Sequence, residues 1–222
     1  MSGSELLVSL KKAAGAPGPQ LLLPVGRPAE VFLRPVATRP ERISSADVKC
    51  LTEWRNRHVQ AFLTEFEATN QRTTNWLTEV VGPSPDKIVF MADHADGTTF
   101  GYMGLAFIDW KRSYGEADSI VRGGDAKPGT MTTALKTLIS WGQGQLGLRQ
   151  IAVRVRSDNS ALDFYRKLGF KETKRVSLRR VSESETNCWH EDETAVESTT
   201  ALVYMDYANR ASDCPGDLSS QR

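Results

Sequence analysis

The sequence predicts a mixed α/β domain, in which a mostly antiparallel sheet is flanked by helices. Two apolar strands joined by Asp96-Gly97 indicate an antiparallel hairpin. After the next strand, apolar residues recur at the spacing of one helix face. A β-branched strand then leads into a short helix. The hairpin strands are 87–92 and 98–108. The next strand is 115–122, and the helix after it starts at 131. The β-branched strand is 150–156, and the short helix is 161–168.

Further elements complete this sheet at its two ends. Residues 31–36 read as a strand, and Ser44 begins a helix that carries Trp54. Closing strands are expected at 176–181 and 201–207. We therefore expect a single domain over 29–208, because this stretch contains all the patterned segments. The remaining ends, 1–28 and 209–222, carry little pattern and are expected to be flexible.

Composition excludes several classes of function. The chain has 222 residues and a net charge of +1, which argues against a nucleic-acid surface. No apolar run is long enough to cross a membrane, and the first residues lack the layout of a signal peptide. Three scattered cysteines favour the reducing cytoplasm. Cys188 and His190 lack further ligands nearby, so no metal is expected.

The loop before the helix at 131 has the features of an anion site. Pro128 and Gly129 stand where the helix begins, so the free N–H groups of Gly129, Thr130, Met131 and Thr132 can bind a negative group. Glycine allows that group to approach the backbone closely. A diphosphate suits such a site, with Arg122 or Lys127 adding positive charge.

The phrase Asn159-x-Ala-x-x-x-Tyr165-x-x-x-Gly169-Phe170 resembles the cofactor-proximal motif of the GNAT superfamily of N-acetyltransferases. The resemblance implies acetyl-CoA as co-substrate, bound in a cleft between two splayed central strands. It implies that Asn159 contacts the pantetheine arm or the helix start, and that Tyr165 is the general acid for the departing thiolate. It also implies that the backbone of Ile120, Val121 and Arg122 bonds the pantetheine amides. The family's diphosphate loop differs here, since Ala126 and Met131 replace its usual residues.

A second resemblance concerns the acceptor side. Trp54-Arg-Asn56 and Trp76-Leu77 resemble a pair found in the branch that acetylates ribosomal proteins, polyamines and amino sugars. In that branch these helices cover the acceptor side of the cleft. Arg55, Asn56 and Arg57 are accordingly candidate acceptor-binding residues.

Carboxylates on the strand 115–122 are candidates for the proton acceptor. Glu116 and Asp118 lie two residues apart, so they share one face of that strand. The alternative is a solvated strand edge. The acidic stretch 182–200 is interpreted as a solvated hairpin loop; the alternative is that it folds over the acceptor site or a twofold partner and favours a cationic acceptor.

These observations predict direct transfer of an acetyl group to a primary amine of a small molecule, in a ternary complex. The expected acceptor is an amino sugar, including a nucleotide-linked one. Protein N-termini and polyamines remain alternatives, and a homodimer is compatible with the sequence. A hypothesis of another class is a catalytically silent acyl-CoA-binding module.

Overall fold

A ten-stranded sheet organises the computed structural model, which describes residues 1–18, 21–194 and 199–208. Its strands are β1 (Leu23–Val25), β2 (Val31–Pro35), β3 (Thr64–Glu65), β4 (Ile88–His94), β5 (Thr99–Asp109), β6 (Tyr114–Arg122), β7 (Gln150–Arg156), β8 (Phe170–Glu183), β9 (Thr186–Glu191) and β10 (Ala201–Tyr207). Their order across the sheet is β1-β2-β4-β5-β6-β7-β10-β8-β9-β3. Neighbours are antiparallel except β6 and β7, which are parallel. The predicted fold class is confirmed.

Helices cover both faces of this sheet. They are α1 (Gly3–Ala13), α2 (Ser45–Arg57), α3 (Asn70–Asn75) with a π-helical continuation (Trp76–Val81), α4 (Thr130–Gly144) and α5 (Ala161–Leu168). The Ser44 side chain accepts a hydrogen bond from the Asp47 amide and so caps α2. Gly169, at φ +105°, ends α5 in the left-handed conformation that glycine adopts without strain.

Alternation along the strands divides the core into two layers. In β4, Phe90 contributes to the cluster that includes Leu135 of α4, whereas Met91 contributes to the cluster that includes Trp54 of α2. Successive strand residues point to opposite faces, which explains this division. Helices α1, α4 and α5 therefore pack on one face of the sheet, and α2 with the α3 region packs on the other.

Parts of the N-terminal stretch 1–28 are ordered: Gly3–Ala13 form helix α1 and Leu23–Val25 form β1, which differs from the flexible segment expected. Ser2 and Glu5 form a capping box at the start of α1. Leu7 is fully buried in the main core, and β1 adds an edge strand beside β2. The buried Lys11 ammonium donates hydrogen bonds to the carbonyls of Val81 and Ser84. Apolar burial and these bonds hold the stretch against the domain.

The acidic stretch 182–200, interpreted from the sequence as a solvated hairpin loop, contains an additional strand. Its first half forms the β8–β9 hairpin, and β9 pairs with β3 through Cys188 opposite Thr64. This pairing orders the hairpin, because backbone groups of the polar stretch find partners in a distant strand. Residues 195–198 and the tail 209–222, expected to be disordered, lie outside the described residues. Across the described part of the chain, none of the helices is long and apolar enough to cross a membrane.

Candidate active site

A cleft opens where the two parallel central strands separate. Residues Tyr114–Glu116 of β6 pair with Gln150–Ala152 of β7, and no pairing continues beyond them in the described structure. Past this point the strands diverge toward their carboxyl ends. A cavity of about 940 Å³ lies there, lined by Ala117 to Arg122 of β6 and Arg154 to Arg156 of β7. The splay of the central strands that the family resemblance implied is thus present.

A β-bulge disrupts the pairing of β6 beside the cavity. Val121 lies opposite Tyr102 and Asp118 opposite Gly104, so Ser119 and Ile120 share the single partner position 103. Ser119 has φ +54°, a left-handed conformation that costs energy in a non-glycine residue. A bulge leaves backbone polar groups without a ladder partner. The backbone of the predicted cofactor residues Ile120, Val121 and Arg122, all of which line the cavity, is therefore suited to an amide-bearing ligand.

The N-terminus of α4 provides free backbone donors. Gly129 has φ +86°, and open space surrounds the position where a side chain would begin. The first helical bond runs from the Thr133 amide to the Gly129 carbonyl, which leaves the amides of Met131 and Thr132 without a helical partner. Met131 lines the cavity, whereas Gly129, Thr130 and Thr132 lie outside its lining. The predicted diphosphate site thus lies at the outer end of the cleft.

Positive charge near this helix start comes from Arg122 rather than Lys127. The Lys127 ammonium forms an ion pair with Glu30 at 2.8 Å, so its charge is already compensated. Arg122 lines the cavity. Behind it, Gly123 packs so closely on Trp54 that an added Cβ would lie 1.8 Å from a ring carbon. Only glycine fits there, and the loop after β6 is fixed against α2.

Tyr165 lies inside the cavity with its hydroxyl free. The ring packs against Phe164 and Phe170, with centroid distances of 5.5 and 5.7 Å, and the residue is 8% exposed. Among the described residues, the hydroxyl has no hydrogen-bond partner. Burial raises the pKa of Tyr165, and the charge of Asp118 raises it further. The hydroxyl therefore stays protonated at neutral pH and is available to a bound group.

Asn159, the other residue of this motif, organises the start of α5. Its side-chain oxygen accepts a hydrogen bond from the Ala161 amide at 2.9 Å, and its amide donates to the Ala61 carbonyl at 3.3 Å. It also lines the cavity. These bonds place Asn159 at the start of α5 and fix the turn that carries Tyr165 into the cleft, whereas a contact of Asn159 with the pantetheine arm stays a prediction.

Glu116 and Asp118 both line the cavity but differ in their partners. The buried Glu116 accepts hydrogen bonds from Arg154 at 2.6 Å and from the Tyr114 hydroxyl at 2.9 Å, one at each carboxylate oxygen. Asp118 has a side chain that is 34% exposed, and one of its oxygens accepts hydrogen bonds from Lys87 at 3.3 Å and from the Ser119 hydroxyl at 3.0 Å. Asp118 therefore keeps an accessible oxygen, whereas both oxygens of Glu116 are hydrogen-bonded, one to Arg154 and one to Tyr114.

The three predicted acceptor-binding residues have separate positions. Arg55 lines the cavity and donates to the carbonyls of Thr64 and Phe66 at 2.8 and 2.9 Å. Asn56 bonds the Ala68 amide and carbonyl, which fixes the chain between α2 and α3. Arg57 donates to the Gly123 carbonyl at 2.5 Å. Asn56 and Arg57 lie outside the cavity lining, so the structure gives them positioning contacts instead.

Sequence reasoning missed several residues of the cavity wall. They are aromatic or cationic: Phe62, Phe66, Arg72, Lys87, Phe107, Arg154 and Arg156. Phe107 has φ +51°, and the Arg154 guanidinium carbon lies 4.4 Å from its ring centroid. Arg154 and Arg156 could have been found, because they alternate on the predicted strand and so share one face.

Glu65 of β3 is a further missed residue, and it ties the β8–β9 hairpin to the cavity wall. Its carboxylate accepts hydrogen bonds from Trp189 at 2.6 Å and from Arg156 and Arg180 at 2.7 Å. Burial alone would raise the pKa of Glu65, but these three hydrogen bonds outweigh it and lower the pKa. Residues from β3, β7, β8 and β9 thus converge on one buried carboxylate.

The described residues of this cleft include no cluster of metal ligands. Within the ranges that the structure describes, no group of three or more His, Cys, Asp or Glu side chains could hold a metal ion. The donors available to a ligand are backbone amides, hydroxyls and guanidinium groups, which suit an extended anionic molecule with amide groups.

Known structures share this architecture. A probable acetyltransferase from Chromobacterium violaceum aligns with a TM-score of 0.62 at 15% identity, over 86% of this chain and 89% of that one. A mutant form of the spermidine N-acetyltransferase SpeG from Vibrio cholerae aligns with a TM-score of 0.58 at 15% identity, over 82% and 98%. A GCN5-related N-acetyltransferase from Brucella melitensis gives 0.59 at 16%, over 86% and 80%. None of the curated proteins matches the sequence.

The sequence itself matches the model of the acetyltransferase (GNAT) domain over residues 39–171. This range contains the bulged strand, the α4 start and the Asn159–Tyr165 motif, so it covers the whole cleft. The family implies acetyl-CoA as co-substrate, and the donor set of the cleft fits that molecule. The chain belongs to the GNAT family of acetyltransferases and is an N-acetyltransferase.

Proposed function

We propose that the protein transfers the acetyl group of acetyl-CoA directly to a primary amine of a small molecule, in a ternary complex. One observation carries this proposal: the cavity between β6 and β7 brings together a free, protonated Tyr165 hydroxyl and the accessible carboxylate of Asp118. A hydrogen-bond donor for a leaving group and a proton acceptor for a nucleophile are what aminolysis of a thioester requires.

The residues that would hold acetyl-CoA extend along one side of the cleft. The bulged backbone at Ile120 would bond amide groups, and Arg122 with the free amides of Met131 and Thr132 would bind a diphosphate. When bound, acetyl-CoA supplies an acetyl thioester, an acyl group already activated for transfer. The protein then has to orient the acceptor amine against the thioester and to provide a proton acceptor and a hydrogen-bond donor.

Asp118 is the proposed proton acceptor. It takes a proton from the amine as the new C–N bond forms, while Glu116 keeps its bonds to Arg154 and Tyr114. Tyr165 donates a hydrogen bond to the sulfur as the C–S bond breaks. The departing thiolate takes its proton from solvent, to which Asp118 later returns the amine proton. Proton and charge therefore balance without a covalent enzyme intermediate.

An amino sugar, including a nucleotide-linked one, is the acceptor that we propose first. The SpeG neighbours favour a polyamine as the second candidate, although their likeness at 15% identity concerns the fold. A polycation would be attracted by uncompensated carboxylates, but the two acidic side chains that line the cavity are paired with Lys87 and Arg154. We also propose a cytoplasmic location, which the free thiols of Cys50 and Cys188 support.

The test is thiol release from acetyl-CoA with a panel of acceptors. The panel comprises amino-sugar nucleotides, polyamines and peptides with free N-termini. Turnover with one class names the acceptor and supports the transferase function. Tight binding of acetyl-CoA with no turnover on any class would instead support a silent acyl-CoA-binding module.

A further inference from the structure

Two arginine side chains on the acceptor side of the cavity have no carboxylate partner among the described residues. The guanidinium carbon of Arg55 lies 3.7 Å from the Phe66 ring centroid, and that of Arg72 lies 4.0 Å from the same centroid. The two carbons are therefore at most about 8 Å apart. Both guanidinium groups therefore lie against the same aromatic side chain of the cavity wall.

The other cations of the acceptor side are compensated. Lys87 pairs with Asp118, and Arg154 pairs with Glu116. Arg156 pairs with both Glu65 and Asp158. Arg55 and Arg72 make hydrogen bonds only to backbone carbonyls in the described structure. The net charge of this region of the cavity is therefore positive, and it is concentrated at one aromatic ring.

Holding these two cations together is unfavourable without a counter-charge. Arg55 is half-buried, and its burial lowers the pKa of the guanidinium; the adjacent Arg72 lowers it as well. Arginine nevertheless remains charged in proteins, so the repulsion persists. Arg55 keeps N–H groups beyond the two that bond Thr64 and Phe66. Those groups are available to a bound anion.

Arg55 and Arg72 lie on the acceptor side of the cleft and not on the side expected to bind the cofactor. Arg55 belongs to α2 and Arg72 to α3, which pack on one face of the sheet. The α4 start, with the free amides expected to bind diphosphate, belongs to the opposite face. The cleft between β6 and β7 connects the two faces.

We propose that the acceptor amine carries an anionic group, a carboxylate or a phosphate, which Arg55 and Arg72 bind together beside Phe66. This inference rests on the proposed transferase function and narrows its substrate class. Bidentate hydrogen bonding by guanidinium groups suits both anions. The same charges repel a polyamine.

The experiment compares matched acceptors that differ only in the anionic group. Thiol release is measured at saturating acetyl-CoA with glucosamine 6-phosphate against glucosamine, and with alanine against alaninamide; spermidine is the cationic reference. We expect kcat/KM to be on the order of 10- to 100-fold higher for the anionic member of one pair, as for hydrogen bonds to charged groups. The pair that shows the preference distinguishes phosphate from carboxylate.

Variants then locate the effect. Arg72 is exposed, so Arg72→Gln is expected to fold normally and to remove on the order of 10-fold or more of the preference while leaving the KM for acetyl-CoA unchanged. Arg179→Gln, on an exposed residue outside the cavity lining, is the control and should change nothing.

The outcomes separate the two proposals. Equal turnover of both members of each pair, preference for spermidine, or an Arg72→Gln effect confined to the KM for acetyl-CoA would overturn the anionic-acceptor inference alone. Absence of thiol release with every acceptor would overturn the transferase function, and the inference with it.

Discussion

Replacing Tyr165 with Phe removes a single hydroxyl from the centre of the cavity. The aromatic contacts to Phe164 and Phe170 remain, and no hydrogen bond within the described structure is lost. The free energy of unfolding should therefore change by less than about 1 kcal/mol. Any larger effect on turnover then reports the chemistry rather than the fold.

The expected loss in kcat follows from the environment of the hydroxyl. Burial and Asp118 raise the pKa of Tyr165, whereas a thiol has a pKa of about 8.5. Full proton transfer to the departing sulfur is thus uphill, and the hydroxyl acts mainly as a hydrogen-bond donor to developing charge. Such a bond contributes about 1.5–3 kcal/mol, so we expect kcat to fall about 10- to 100-fold.

The assay is thiol release under saturating substrates, with the affinity for acetyl-CoA measured separately. Because the pKa of Tyr165 is raised, the hydroxyl stays protonated through the neutral range, and the shape of the pH–rate profile up to about pH 9 should not change. Tyr102→Phe is the matched control, since Tyr102 is also buried, lines the same cavity and has a raised pKa. A Tyr165→Phe variant with kcat within about threefold of the parent, or no more impaired than Tyr102→Phe, would refute the proposed role of the hydroxyl in stabilising the departing thiolate.

Three further predictions concern the base, the cofactor loop and the hairpin. Asp118→Asn should lower kcat about 10²-fold with little change in acetyl-CoA affinity, measured by thiol release and binding titration. Gly123→Ala should cost about 3 kcal/mol or more in urea unfolding because the new Cβ overlaps Trp54, whereas Gly144→Ala, in open space, should be neutral or slightly stabilising. Glu65→Gln should cost about 2–3 kcal/mol at neutral pH. Since the folded-state pKa of Glu65 is lowered, that cost should be fully present above pH about 4.5 and should shrink as the pH falls through the lowered value.

Local chemistry made part of this molecule predictable. The strand at 150–156 and the helix at 161–168 have the predicted bounds, because a β-branched run, the Asn159 turn and the Gly169 stop each act within a few residues. Helix α1 was not predicted, although its capping box of Ser2 and Glu5 is visible in the sequence. The residues that follow it are rich in Ala, Gly and Pro, which is a composition typical of flexible segments.

The other features of the site depend on contacts between residues that are far apart in the sequence, and these contacts could not be predicted from local patterns. Strand β9 pairs with β8 in the hairpin and, on its other edge, with β3, which lies more than a hundred residues earlier. Periodicity within residues 182–200 contains no trace of that second partner. The charge of the cavity likewise depends on pairs across strands, such as Arg154 with Glu116, which leave Arg55 and Arg72 uncompensated. A count of charged residues cannot distinguish a compensated cation from a free one.

The division of labour between the two carboxylates follows from the point at which the sheet opens. Glu116 lies opposite Ala152 in the last paired position of β6 and β7, and its ion pair with Arg154 crosses the strands just where they begin to diverge. This pair closes the inner end of the cleft and occupies both oxygens of Glu116 when the Tyr114 bond is included. Two residues further along β6, on the same face, Asp118 is the first carboxylate inside the opened region, and the bulge at Ser119 begins immediately after it. Strand β6 thus carries, in succession, the ion-paired Glu116, the accessible carboxylate of Asp118 and the bulged backbone that begins at Ser119. Asp118 stays accessible because Arg154 is paired with Glu116 and not with Asp118.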